Sequence, residues 1–401
     1  MKFHGKHSNA FNFIYERYVF RFNVVTNEYE FRKSNKKKWK KYEDRHRKTI
    51  LMQLMKDLIE VPTDKVDIFI ESKDCSPDYN PFVEYFENLK PHKSKRDYIG
   101  EMAETIKTNK PEHFKKTFEK FLVGTIDCLL RRDAVNDVCL VFQSPQGIGK
   151  TRWMRRLLPK QLRSEYLYEG NIDTRDKDHV MYLSQYWFIH LDELETLRNN
   201  DIGAIKSYIT RQRISVRKSY GRYKTNMVRR ASFLGSVNED KFLSDITGNR
   251  RWLVFKVSDI DYMHKINSDD VWAQAYKLWK KGHRHWFDID EIRDINNENE
   301  KFRTVAMEEE LLLRYFDFPS KKSKSDMLSS SEVIEQITLN IPSFSSKMGA
   351  IAMGKALSKH SNIKEMKGGI QRYALKYKGP ETHEKPFKES KTINEGDDVP
   401  F

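Results

Sequence analysis

Three short stretches of this chain carry residue types that could do chemistry together. The first is Ser144-Pro145-Gln146-Gly147-Ile148-Gly149-Lys150-Thr151. It follows the apolar run Val138-Cys139-Leu140-Val141-Phe142, which reads as a buried strand, and a helix is expected from Arg152 to Leu158. A glycine-bearing loop between strand and helix can turn its backbone amides onto phosphate groups, and the helix N-terminus adds partial positive charge. Gly147, Ile148, Gly149, Lys150 and Thr151 are therefore candidate ATP-binding residues. Lys150 is expected to reach the β- and γ-phosphates, and the Thr151 hydroxyl to hold Mg²⁺. Ser144 stands where such loops usually carry their first glycine, which leaves Gly147 and Gly149 to close the turn. The bland alternative is a chance Gly-Lys-Thr turn.

The second stretch is Asp192-Glu193, at the end of the apolar run Tyr186 to Leu191. An acidic pair at the carboxyl end of a strand belongs at the crevice of an open α/β sheet. Asp192 is expected to hold Mg²⁺, and Glu193 to orient and polarise an attacking water. The alternative is a solvated pair opening the next helix. The third is Asn238, at the end of Ala231 to Val237. It can stand between a γ-phosphate and that water, or be a turn asparagine. Beyond it lies Thr247-Gly248-Asn249-Arg250-Arg251. Arg250 or Arg251 is placed to stabilise transition-state charge in a neighbouring subunit's site, which would require a ring or filament. The alternative is local pairing with carboxylates.

Residues 206–230 contain Lys206, Arg211, Arg213, Arg217, Lys218, Arg222, Lys224, Arg229 and Arg230 with no Asp or Glu, and interleave Tyr208, Tyr220 and Tyr223. Cations neutralise phosphates and aromatic rings stack on bases, so Lys206, Arg211, Arg217, Lys218, Tyr220, Arg222 and Lys224 are the DNA-binding candidates. Arg217 to Arg222 reads as a loop tip. A solvated positive face is the alternative. Lys33 to Lys48 is a weaker basic patch. His283 and His285 lack further ligand types nearby and read as surface residues.

Positioning these groups needs an α/β core. Four apolar runs, at 138–142, 186–191, 231–237 and 252–257, read as strands of a parallel sheet covered by helices. The chain has 401 residues, which is more than one core usually fills, so several domains are expected. An N-terminal accessory domain spans 1–80, with a hairpin at 19–32 and helices after it. A helical collar follows at 81–135, its segments opened by Pro81, Pro91 and Pro111. The core takes 136–258 and a helical extension 259–319. Residues 320–380 read as helix, helix and hairpin, an order that suits a winged helix, with Ser329 and Glu332 as a capping box. The polar tail 381–401 is expected to be disordered.

The net charge of +15 points to a polyanionic partner, against the reading of a merely basic soluble protein. Cys75, Cys128 and Cys139 are odd in number and lack C-x-x-C spacing, so neither disulfides nor zinc are expected. No apolar run is long enough to span a membrane and no secretory signal opens the chain, so a cytoplasmic location is expected.

The stretches Gln146 to Thr151, Leu191 to Leu194, Lys206 to Thr210, Arg217 to Arg222, Arg229 to Asn238 and Thr247 to Arg251, in this order and spacing, resemble the virulence-associated protein E (VirE) family of phage and mobile-element ATPases. The resemblance covers roughly residues 80–257. It implies an AAA+ core with a phosphate-binding loop, like superfamily-3 helicases, forming a hexameric ring with single-stranded DNA in its pore. No carboxylate cluster suggests priming. The residues themselves argue ATP hydrolysis and nucleic-acid contact. A helicase of a phage or mobile element, a translocase, loader or initiator that does not unwind, and a DNA-binding protein with a vestigial site remain open. The intact Lys150, Thr151, Asp192 and Glu193 set speaks against the last.

Overall fold

Strands that are apolar on both faces must be covered on both faces, and the central sheet shows this residue by residue. The computed structural model describes residues 3–93, 95–170, 172–194, 199–217, 224–243, 249–320, 326–341 and 348–379. Its contacts divide the chain into two units, Met1–Arg303 and Thr304–Phe401. The first unit holds a six-stranded sheet in the order Ile106–Thr108, Trp252–Ile260, Cys139–Gln143, Ser232–Val237, Phe188–Leu191, Leu167–Glu169. All neighbours are parallel except the Ile106–Thr108 edge, which runs antiparallel to Trp252–Ile260.

Alternate side chains along each strand enter opposite cores. Leu140, Phe142, Phe188, Leu234, Leu253 and Phe255 join one core, shared with the helices Pro81–Asn88, Tyr98–Glu104, Pro111–Leu130, Lys150–Leu157 and Ser268–Lys280. Cys139, Val141, Ile189, Phe233, Trp252 and Val254 join the other, shared with the helices Lys177–Gln185 and Asn199–Ile209 and the strand Ile214–Arg217. Aromatic rings dominate the first core. Trp187 is fully buried against Phe82, Tyr85, Phe86 and Trp272, the two indoles 4.9 Å apart. Aromatic pairs of this kind add about 0.5–1.5 kcal/mol each beyond area burial.

The four expected apolar runs are all strands of this sheet. The collar differs from expectation. The stretch after Pro91 is not helical at once; the helix starts at Tyr98, where Asp97 Oδ1 accepts the Gly100 amide at 3.0 Å. Ile106–Thr108 then leaves the helical layer to extend the sheet.

Residues before 80 form their own core around a sheet of Tyr18–Asn23, Glu28–Lys33, Lys40–Lys41 and Asp78–Tyr79. The expected hairpin is present, with Asn27 at φ 59° in its turn. Helices Asp44–Lys56 and Thr63–Glu71 follow, and a helix at Ser8–Arg17, not read from sequence, precedes it.

The second unit contains the strands Phe316–Asp317 and Asp326–Ser329, the helices Met307–Tyr315, Ser330–Asn340 and Ala350–His360, and the hairpin Lys364–Lys367 with Ile370–Tyr377. The Ser329–Glu332 capping box forms, and Glu332 also takes a two-pronged bond from Arg372 at 2.9 Å. The expectation for 381–401 lies outside the described residues. Among the described residues no helix is long and apolar enough to cross a membrane. Cys128 and Cys139 are buried thiols, pushed up by burial.

Candidate nucleotide-binding site

Three neighbouring parallel strands end on the same side of the sheet. Val237 pairs with Gln143, and Gly235 with Leu191. Ser144, Asn238 and Asp192 therefore leave the sheet at one edge, with the Asn238 strand between the other two. The loop after Gln143 turns twice through left-handed backbone, Gly147 at φ 94° and Gly149 at φ 99°, a region that favours glycine. The helix Lys150–Leu157 starts immediately after Gly149.

Lys150 is folded back into this loop and is 7% exposed. Its Nζ donates to Ser144 O at 2.8 Å, Ser144 Oγ at 2.9 Å, Pro145 O at 3.2 Å and Asn238 Oδ1 at 2.9 Å. An ammonium has three protons, so these four acceptors surround it and share them. Ser144, unusual for a glycine position, thus supplies two of the acceptors. Thr151 is half-buried in the first helical turn, and Ile148 packs on the aromatic core.

Asp192 and Glu193 are exposed just past Leu191. The Ser236 hydroxyl, on the strand between, donates to Asp192 Oδ1 and fixes that carboxylate beside the loop strand. Glu193 sits at φ 50°, a left-handed conformation costly for a residue with a Cβ. Leu194 is buried behind it, where a Cβ at Gly235 would approach Leu194 Cδ1 to 2.7 Å. Gly235 is the space that lets the acidic turn pack on the sheet.

Charged pairs flank the edge. Arg155 Nε donates to both Glu169 oxygens at 2.7 and 2.8 Å. Burial raises the Glu169 carboxyl, but the neighbouring His190 ring, 3.6 Å away, and the Arg155 bonds outweigh it and hold the group below the usual carboxylate range. On the other side Asp240 accepts from Lys256 at 2.8 Å and Gln143 at 3.1 Å, and the Lys256 bond lowers its carboxyl.

Arg250 and Arg251 lie in a 3-10 turn at Asn249–Arg251, with Arg250 exposed and Arg251 half-buried. The turn is held from below: buried Asn249 Oδ1 accepts Lys206 Nζ at 3.0 Å, and Asn299 Nδ2 donates to Asn249 O at 2.7 Å. Lys206, expected from the sequence at DNA, is thus placed inside the fold. At 5% exposure it holds the arginine turn from the interior.

The rest of the basic segment divides similarly. Ile214–Arg217 and Lys224–Met227 form an antiparallel hairpin in which Arg217 pairs with Lys224. Ile214 and Val216 are buried, and Arg211 lies 6.0 Å over Tyr208. Lys218, Tyr220 and Arg222 lie outside the described residues. Arg229 and Arg230, also part of the basic run, are buried; burial lowers Arg229 and pushes Arg230 down to about 10. Arg229 Nη2 donates to Ile209 O at 3.2 Å and the guanidinium lies 5.1 Å over Phe233, so it ties the helix before the hairpin to the Asn238 strand.

One residue at the site was invisible in the sequence. Tyr262 lies against Gly149 so closely that a Cβ there would enter its ring. Arg156 Nη1 donates to Tyr262 O at 2.8 Å, and Arg152 Nη1 to the Tyr262 hydroxyl at 3.4 Å. No local pattern marks a tyrosine more than a hundred residues away as the loop's support. Among the described residues no group of three or more His, Cys, Asp or Glu could hold a metal ion. His283 pairs with Glu119 and His285 with Asp127.

Fold and site define a mixed α/β protein with a parallel sheet, a lysine-filled glycine loop and an acidic pair at one sheet edge. Residues 88–304 match the virulence-associated protein E-like domain, and the chain belongs to that family. No curated protein matches it. Among solved structures it is similar to the apo NrS-1 C-terminal region (305–718), at 12% identity and a TM-score of 0.45, covering 91% of this chain and 98% of that one. The A form of the same region aligns at 13% identity and a TM-score of 0.42, covering 89% and 96%.

Proposed function

We propose that this chain is an ATP-hydrolysing phosphate-loop enzyme that works on DNA in the replication of a phage or mobile element, with an AAA+ core of the superfamily-3 helicase kind. The observation that carries the reading is the Lys150 ammonium held between the Ser144 and Pro145 oxygens and Asn238. A buried lysine bonded to its own loop is ready to exchange weak neutral acceptors for phosphate oxygens, which form stronger charge-assisted bonds.

The residues then divide the work. Gly147, Ile148 and Gly149 turn backbone amides toward the phosphates, and Lys150 neutralises the β- and γ-oxygens. The Thr151 hydroxyl and Asp192 would hold Mg²⁺, which would supply positive charge against the charge that develops on the transferring phosphate. Glu193 accepts the proton of the attacking water. Asn238, which exchanges its bond to Lys150 as the lysine turns to phosphate, orients that water. Arg250 or Arg251 reaches a neighbouring protomer's γ-phosphate, which makes a hexameric ring the working assembly. The hairpin residues Arg217 and Lys224, with Arg211 before them and Lys218, Tyr220 and Arg222 between them in sequence, take single-stranded DNA in the pore. The hairpin lies in sequence between the acidic pair and the Asn238 strand, so changes at the γ-phosphate can reach it. The helix–helix–hairpin order of the second unit supports a winged helix as a separate DNA contact.

The test is phosphate release by the intact chain from ATP with Mg²⁺, with and without single-stranded DNA. DNA-stimulated turnover supports the reading; release no faster than in buffer overturns it.

A further inference from the structure

The basic run Lys33–Lys41 has no part in the site above, yet it borders a recess of its own. A cavity of about 660 Å³ lies between this run and the helix Asp44–Lys56. Six of its lining residues are Lys or Arg, and none is a carboxylate. Its floor is apolar and aromatic: Phe31 and Ile50 are buried there, and the His46 ring lies 4.6 Å from the Phe31 ring. The rim is built in advance. Lys36 N donates to Lys33 O at 2.9 Å to form a turn, and Arg32 Nη1 donates to Lys36 O at 2.7 Å to hold it. Among the described residues no carboxylate pairs with Lys36, Lys37 or Lys38, all of which are exposed.

We propose that this recess binds single-stranded nucleic acid, with one unstacked base in the apolar cavity and the flanking phosphates on Lys36, Lys37 and Lys38. The chemistry of the two parts is complementary to one ligand class. Uncompensated lysines at a rim call for repeated anions, while an apolar floor of this size accepts a planar ring. A duplex keeps its bases stacked inside, so it offers the lysines phosphates but the cavity nothing. The same cations could draw an acidic peptide or an anionic membrane; the recessed aromatic floor favours the base. The proposal does not depend on nucleotide hydrolysis.

The test uses the full chain without ATP and three probes: a 12-nucleotide oligo(dT), an abasic strand of the same phosphate number, and phosphatidylserine vesicles. Wild type is expected to prefer oligo(dT). Lys36→Ala/Lys37→Ala/Lys38→Ala is expected to weaken binding and make the salt slope shallower by about two units, at roughly 0.7 per lost phosphate contact on a single strand. Thr49 is exposed on the helix side of the rim. Thr49→Trp is expected to fill the mouth, lowering oligo(dT) affinity about tenfold while sparing the salt slope and the abasic strand. The proposal is overturned if Thr49→Trp keeps the full preference for oligo(dT), if the triple variant keeps its salt slope, or if only vesicles depend on these lysines. Melting curves check both variants; the triple change is confined to the surface and carries the test alone if Thr49→Trp does not fold.

Discussion

Lys150 Nζ and Asn238 Oδ1 lie 2.9 Å apart, although 88 residues separate them in sequence. The contact joins the glycine loop to the neighbouring strand and leaves neither side chain idle. It follows from the parallel register that sets Val237 beside Gln143, so that Ser144 and Asn238 leave the sheet together. A ligand that draws Lys150 away breaks this bond at the same end of the sheet. On the proposed reading, that exchange is what links occupancy of the loop to the strand behind the basic hairpin.

Glu193 is held at φ 50°, a conformation glycine adopts without cost. Glu193→Gln is expected to keep nucleotide affinity and lose turnover by about a hundredfold or more, because a general base typically contributes 10²–10⁴. Glu193→Gly is expected to lose turnover equally while melting no lower than wild type, since relief of about 1–2 kcal/mol of backbone strain offsets glycine's added flexibility. Phosphate release and thermal melting together check this; full turnover in either variant refutes the role.

Arg250 is the exposed member of its pair, and Arg251 is half-buried. Mixing an Arg250→Ala chain with a Lys150→Ala chain is therefore expected to restore part of the hydrolysis that each lacks alone, through composite sites with both groups intact. Arg251→Ala should rescue less. Turnover by mixtures of varied ratio measures this, and a strictly additive response argues against a shared site.

The hairpin's inner residues Ile214 and Val216 are buried, while the pair Arg217 and Lys224 closes its described end. Arg217→Glu with Lys218→Glu is expected to weaken single-stranded DNA binding and to flatten its salt dependence by roughly 0.7 units per lost contact. Fluorescence anisotropy across a salt series reads both. Unchanged affinity and slope would hand the role to the Lys33–Lys41 recess or the second unit.

Gly235 leaves room for Leu194, with Val141 Cγ2 3.1 Å from where a Cβ would stand. Gly235→Ala is expected to cost about 1–3 kcal/mol through overpacking and to displace the Asp192-Glu193 turn. Denaturant unfolding checks the cost. A neutral substitution would mean the turn does not lean on the sheet as described.

Much of this was readable because the decisive patterns are local. The apolar strand runs, the Gly147 and Gly149 turn, the 19–32 hairpin and the Ser329–Glu332 cap each lie within a few residues of chain. What escaped depends on distant partners. Ile106–Thr108 is too short to announce a strand, and only Trp252–Ile260 makes it one. Lys206 looks like any solvated lysine in a basic run until Asn249, 43 residues on, takes its ammonium in the interior. Tyr262 touches Gly149 only because the segment after the Trp252–Ile260 strand returns to the loop.

The most direct measurement is phosphate release from ATP and Mg²⁺ by wild type and Lys150→Ala, side by side and with binding of ATP followed in parallel. Loss of a charged donor aimed at the transferring phosphate typically costs two to three orders of magnitude, about 3–4 kcal/mol of barrier. The account predicts turnover by wild type and a loss of about a hundredfold or more in Lys150→Ala, with weakened ATP binding. Equal turnover by the two proteins would contradict it.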